Sequence, residues 1–241
     1  MFESNFSRQI ILDTETTGMN QGIGAPYLGH RIIEIGAVEL VNRKLTGRTF
    51  HVYINPEQSI DEDAIKVHGI TNERVENEPV FSAIAEDLMK FIEGAEMIAH
   101  NAPFDVGFLN HELSLLKKSY PTIERTCQVT DTLVLAKKTF PGQKNNLNAL
   151  CKRYGIDNSH RTLHGALLDA EILSDVYLMM TGGQTELNWS NQNIQDLQSF
   201  RKISSQYQEL KVIRADADEM NAHEQNLDRL EQLGLCLWRP N

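Results

Sequence analysis

Three short motifs hold residues that could do chemistry together. Ile10-Ile11-Leu12 runs into Asp13-Thr14-Glu15, two carboxylates two residues apart. On a strand, residues i and i+2 point the same way, so Asp13 and Glu15 project from one face of a strand over Arg8–Glu15. Two anions side by side repel and require a cation or a shared proton. The second motif is His100-Asn101-Ala102-Pro103-Phe104-Asp105, with Asp105 in the first turn of a helix that Pro103 begins. The third is His164 followed five residues on by Asp169. At 100° per residue Asp169 shares a helix face with Leu173, Val176 and Met180, whereas Glu171 and Asp175 fall opposite. An unpaired carboxylate on an apolar face is costly, which suits a ligand better than a solvated acid. His164 falls at or just before the start of that helix.

Each residue alone has a plainer reading. Asp13 could open a polar turn closed by Gly18, Asp105 could complement a helix dipole, and His164 could be a helix-terminal histidine. Jointly, four hard oxygen ligands and one histidine select Mg²⁺ or Mn²⁺ rather than Zn²⁺. Two such ions about 3.5–4 Å apart clamp the attacking and leaving oxygens of a phosphodiester. A neutral histidine can take the proton of the attacking water.

The elements around these motifs describe an α/β fold. Apolar runs at 32–40 and 50–54 have strand character, the second with strict alternation, and Lys44-Leu45-Thr46-Gly47 lies near the turn between them. Helices are expected over 61–67, near Thr71, over 81–92, from Pro103 to about Leu116, and over 131–138, 147–154 and 165–180. Met97-Ile98-Ala99 and 125–129 read as short strands. Paired strands followed by alternating strands and helices give a mixed sheet.

Composition sets further limits. The chain has 241 residues, 41% of them apolar, enough for one good-sized domain plus an appendage. Its three cysteines (Cys127, Cys151, Cys236) lack metal-type spacing and read as reduced thiols. The first residues show no basic segment leading into an apolar core, and no run approaches the roughly 20 apolar residues of a membrane span. The expected location is the cytoplasm. A net charge of −10 argues against a domain that grips duplex through many phosphates. It leaves room for an enzyme that holds one chain end with the help of bound cations.

From Thr181 onward the residues turn to Gly, Gln, Asn and Ser. The expected organisation is a domain over 1–181, a flexible linker over 182–199 and a small docking segment over 200–241. In the last segment Lys211-Val212-Ile213 is strand-like and 218–233 helical. The apolar tail Leu235-Cys236-Leu237-Trp238 follows.

The order Asp-x-Glu, Asn-x-x-x-Asp, His-x-x-x-x-Asp resembles the DEDD-type 3′→5′ exonuclease family, in its histidine subgroup. The runs 12–20, 50–53, 161–170 and 176–185 resemble, within that family, the proofreading subunits of bacterial replicative DNA polymerases. The resemblance implies a ribonuclease H-like fold with a mixed five-stranded sheet. It implies two divalent ions, Mg²⁺ or Mn²⁺, on Asp13, Glu15 and Asp169, with Asp13 shared and Asp105 serving the second ion. His164 would be the general base. Asp63 and His68, with Glu15 and Asp169, would meet the terminal nucleotide of a DNA 3′ end, although relatives often carry Glu at the position of Asp63. The polymerase subunit would be met by the C-terminal segment, and a small theta-type subunit is a further expected partner. Gln184, Leu187 and Trp189 resemble a short peptide that binds the sliding clamp. An RNA-trimming exonuclease and a non-catalytic scaffold are the rival readings.

Overall fold

The computed structural model describes residues 7–159, 161, 163–182 and 215–234. The chain divides into two units, Met1–Glu186 and Leu187–Asn241. Unit one is built on a five-stranded sheet of order β3-β2-β1-β4-β5. Strands β1 (Arg8–Thr16), β2 (Ile32–Val41) and β3 (Lys44–Tyr53) pair antiparallel; β4 (Glu96–Ala99) and β5 (Gln128–Asp131) lie parallel to β1. The mixed sheet is therefore as expected, with β1 at its centre.

Side-chain alternation along β1 sorts the molecule into layers. Ile10 and Leu12 enter one core with helices α3 (Phe81–Ile92) and α4 (Ala102–Ser114). Ile11 enters the other core, against Ala170, Leu173 and Tyr177 of α8 (Ala166–Thr181). Two further helices, α6 (Thr132–Thr139) and α7 (Leu147–Tyr154), pack on α8 through Ala136, Leu150 and Cys151. The remaining pieces are short: α1 (Glu62–His68), α2 (Asn72–Val75) and α5 (Ile123–Thr126). Unit two contributes α9 (Ala217–Gln232), opened by a capping box between Asp216 and Glu219.

Two sequence expectations need correction. The β2–β3 turn is Asn42-Arg43, both at positive φ, and β3 begins at Lys44; Gly47 is a positive-φ position inside β3, where the register with β2 slips. Asn tolerates the left-handed region, so the glycine marked an irregular strand rather than the turn. The strand expected over 125–129 is split: Ile123–Thr126 closes a single helical turn, and β5 starts only at Gln128. The linker, the clamp-like residues Gln184, Leu187 and Trp189, the strand-like 211–213 and the tail 235–238 lie outside the described residues.

Helix α8 is held at both ends by the β2–β3 hairpin. Glu34 of β2 is buried and accepts from the Ala166 N–H in the first turn of α8 at 3.0 Å, and its other oxygen meets His51 Nε2 of β3 at 2.7 Å. An acid at a helix N-terminus satisfies both an orphan N–H and the dipole. At the far end Arg43 donates to the Leu178 carbonyl at 2.9 Å and to Thr181 Oγ1 at 2.8 Å. Between them Gly36 lets strand and helix touch: a Cβ there would stand 2.1 Å from Leu167 N and 2.2 Å from Ala166 C. Helix α4 is fixed in a comparable way. Its buried Glu112 takes two hydrogen bonds from Arg31, at 2.8 and 2.7 Å, and one from the Ile32 N–H at 3.0 Å. Gly36→Ala is expected to push α8 off the sheet and cost about 1–3 kcal/mol, the usual range for overpacking. Urea denaturation of the variant checks this; an unchanged midpoint contradicts the close approach.

Candidate active site

Asp13 and Glu15 share the α8 side of β1, at its C-terminal end. Thr14 points to the other side and donates to Asp105 Oδ1 of α4 at 2.8 Å. Asp105 thus reaches the same strand end from the opposite layer. It is placed by an unusual helix start: Asn101 caps α4 at φ +71°, its N–H bonded to Asp131 Oδ1 at the end of β5 (3.0 Å). Asp169 lies in the first turn of α8, buried, with Glu171 and Asp175 turned to solvent. His164 stands two residues before α8, and its N–H donates to the Val67 carbonyl of α1 at 3.1 Å. Its side chain is 45% exposed.

The sequence motifs therefore converge. One ligand atom from each of Glu15, His164 and Asp169 lies within 4.8 Å of the others. Asp13 and Asp105 are not in that triplet but share its field. Burial, and then the charges of Asp105, Glu15 and Asp169, raise Asp13 well above the ordinary carboxylate range. Burial, followed by Asp169 and Glu34, raises Glu15 to about 8. Asp105 is raised to about 7 chiefly by burial, against the hydrogen bonds it accepts. Anions are thus crowded where water cannot screen them. His164 moves the other way: burial and the Arg161 charge lower it, so the ring is neutral near pH 7.

A cavity of about 480 Å³ adjoins the acids, with Glu15 common to both. Asp63, Val67 and His68 of α1, Met19 and Phe104 also line it. His68 is buried; its Nδ1 accepts from the Ile70 N–H at 3.0 Å, which puts the ring proton on Nε2. That Nε2 has no hydrogen-bond partner among the described residues. Asp63 is almost fully exposed and pairs with Lys66 at 2.7 Å, which lowers its pKa.

Three contributors escaped the motif reading. Thr14 sits between the two strand acids and orients a third. Glu34, opposite Glu15 in the β1–β2 register, sets the start of α8. Arg161 binds Asp169 through both carboxylate oxygens, one at 2.6 Å, and reaches His164 Nδ1 at 3.0 Å. Asking which cation offsets four acids would have pointed toward Arg161; no spacing rule marks Glu34.

Comparison with known proteins agrees with this geometry. The family model described as "Exonuclease" matches residues 10–177. DNA polymerase III subunit epsilon of Escherichia coli (strain K12) is 53% identical over 238 residues, covering 97% of this chain and 98% of the relative. The subunit of the same name from Pasteurella multocida is 54% identical, covering 96% and 93%. Among solved structures, the nuclease domain of 3′hExo, a DEDDh family member bound to rAMP, superposes with a TM-score of 0.59 at 20% identity, over 74% of this chain and 94% of that one. The last match speaks for the fold, the family model for residues 10–177, and the two relatives for descent along nearly the whole length. The chain belongs to the exonuclease family, on the branch of the DNA polymerase III epsilon subunits, and is a 3′→5′ exonuclease.

Proposed function

We propose that this chain proofreads for a replicative DNA polymerase, removing mispaired 3′-terminal nucleotides as 5′-mononucleotides. The observation that carries the reading is the convergence of Asp13, Glu15, Asp105, Asp169 and His164 at the end of β1, beside a cavity sized for a nucleotide. The donor set fits divalent metal: hard oxygens, buried or half-buried, with Asp13, Glu15 and Asp105 pushed toward protonation first by burial and then by neighbouring carboxylates. Asp13, Glu15 and Asp169 would hold two ions, Mg²⁺ or Mn²⁺, with Asp13 between them and Asp105 serving the second. Bound there, such ions activate water and offset charge on the phosphodiester oxygens.

The chain's own groups then have separate tasks. The cavity takes the terminal nucleotide, with Met19, Val67 and Phe104 as apolar walls. His68 and Asp63 of α1 complete its lining, with the exposed Asp63 at the rim. His164, neutral and half-exposed, accepts the proton of the attacking water. As the new P–O bond forms, the bond to the 3′ oxygen of the preceding nucleotide breaks, and that oxygen leaves to be protonated by solvent. The charge of −10 on the whole chain suits an enzyme that meets only a frayed end while its partner holds the duplex.

The partner contact is assigned to the C-terminal part. Helix α9 exposes Met220, Leu230 and Leu233, an apolar stripe a polymerase subunit could cover. Residues 182–199 would tether the exonuclease domain, raising its local concentration at the primer end. Gln184, Leu187 and Trp189 are proposed to touch the sliding clamp, and a theta-type subunit to join the nuclease domain.

Asp13→Ala should lower 3′→5′ hydrolysis by roughly 10³-fold, at the upper end for loss of one electrostatic stabiliser, with the fold intact by circular dichroism; wild-type activity would remove Asp13 from the site. Glu15 titrates near 8 in the fold and near 4.5 when unfolded, so the folded form binds the extra proton between those values. Stability of the EDTA-treated chain should therefore fall as pH rises from about 4.5 to 8. Melting scans with and without Mn²⁺ check this: the metal should raise Tm more at pH 8 than at pH 6. Truncation after Thr181 should leave hydrolysis of mononucleotide esters within about twofold, as expected for changes remote from a rigid site, while abolishing co-purification with the polymerase subunit. Retained co-purification would move the contact into the nuclease domain.

A further inference from the structure

Arg161 stands three residues before His164 and eight before Asp169. It is set deep: its side chain and that of Asp169 are each only 6% exposed. Nε and Nη2 take the two oxygens of Asp169, the second at 2.6 Å. Nη2 also donates to His164 Nδ1 at 3.0 Å, and Nη1 donates to Asn148 Oδ1 of α7 at 2.8 Å. Asn158 donates to the same Asn148 oxygen at 2.9 Å, so Arg161 and Asn158 share one acceptor on α7.

Both contacts engage atoms that the proposed reaction needs. A fork of two N–H donors on one carboxylate takes up the lone pairs facing it, and a metal ion seeks lone pairs on the same oxygens. A guanidinium has no acceptor, so Nδ1 of His164 must accept and the neutral ring keeps its proton on Nε2. With the contact in place, neither ring nitrogen is available to take a proton from water. A fixed positive charge beside the acids also opposes the arrival of further positive charge.

We propose that Arg161 is a built-in counter-cation of the acid site, which occupies Asp169 and His164 in the metal-free chain and must release both for the metals to load. The inference rests on the metal-site reading above. It makes Arg161 a positioning residue whose resting contact is inhibitory, rather than a simple brace for Asp169. A brace and a competitor predict opposite signs for metal affinity when the guanidinium is removed.

Mn²⁺ binding to the full chain, followed by the electron paramagnetic resonance signal of the free ion, separates them. Arg161→Gln should bind Mn²⁺ about tenfold more tightly than wild type, a size that loss of one like charge a few Å from the ion allows, and should melt earlier than wild type in EDTA. Arg161→Lys, which keeps the charge but not the fork, should fall between. Unchanged or weaker Mn²⁺ binding in Arg161→Gln overturns the proposal. Should that variant fail to fold, the wild-type chain decides the matter: the ¹⁵N-detected Arg161 Nε–H resonance should exchange slowly in EDTA, then shift and exchange faster with Mg²⁺. A resonance unchanged at saturating Mg²⁺ also overturns it. Asp13→Asn is the control for the underlying reading. If Asp13→Asn binds Mn²⁺ as wild type does, the metal site itself is misassigned; if it loses binding while Arg161→Gln is unchanged, only the role of Arg161 falls.

Discussion

Repulsion among buried carboxylates at the end of β1 is the constraint on which the rest of the nuclease unit depends. Asp13, Glu15, Asp105 and Asp169 come from three elements in three layers, and like charges out of water push apart unless rigid structure holds them. The raised pKa values of Asp13, Glu15 and Asp105, set first by burial, record that cost. A fold can sustain such a site only where each acid is fixed by contacts stronger than the repulsion. Those contacts are here: the sheet ladder under Asp13 and Glu15, the Thr14 bond to Asp105, and the packing of α8, which carries Asp169, against β1.

The same need explains buried polar groups away from the acids. Glu34 joins the start of α8 to β2 and to His51, and Arg43 closes the end of the helix. Glu112 and Arg31 tie α4 to the start of β2. Buried ion pairs contribute little net stability, because desolvation offsets the attraction. Their value here is positional: they fix the two helices that carry Asp105 and Asp169 against one hairpin. His164 is treated differently. It sits outside α8, half-exposed, on backbone anchored by one bond to Val67. The general base that we propose His164 to be gains from access to water and from freedom to turn.

The cavity and the acids meet at Glu15, so a residue of the central strand borders both. Helix α1, which carries Asp63 and His68, is linked to the third motif through the Val67–His164 bond.

Much of this was legible in the residue order. The Asp-x-Glu pair on a strand, the apolar face of α8 holding Asp169, the Pro103 helix start and the strand alternation are local patterns, set by backbone periodicity and burial of apolar surface. Spacing could not show the Asn42-Arg43 turn, since glycine is the stronger local marker and it lay inside β3. Nor could it show Thr14, Glu34 or Arg161 as parts of the site. Their roles arise from partners 91, 132 and 8 residues away, and hydrogen bonds across such intervals leave no period to read. Sequence by itself determined which residues could bind metal and accept a proton, because side-chain chemistry is local. Only the tertiary structure decided that the acids share one field and that a guanidinium already sits among them, because charge interactions depend on distance in space.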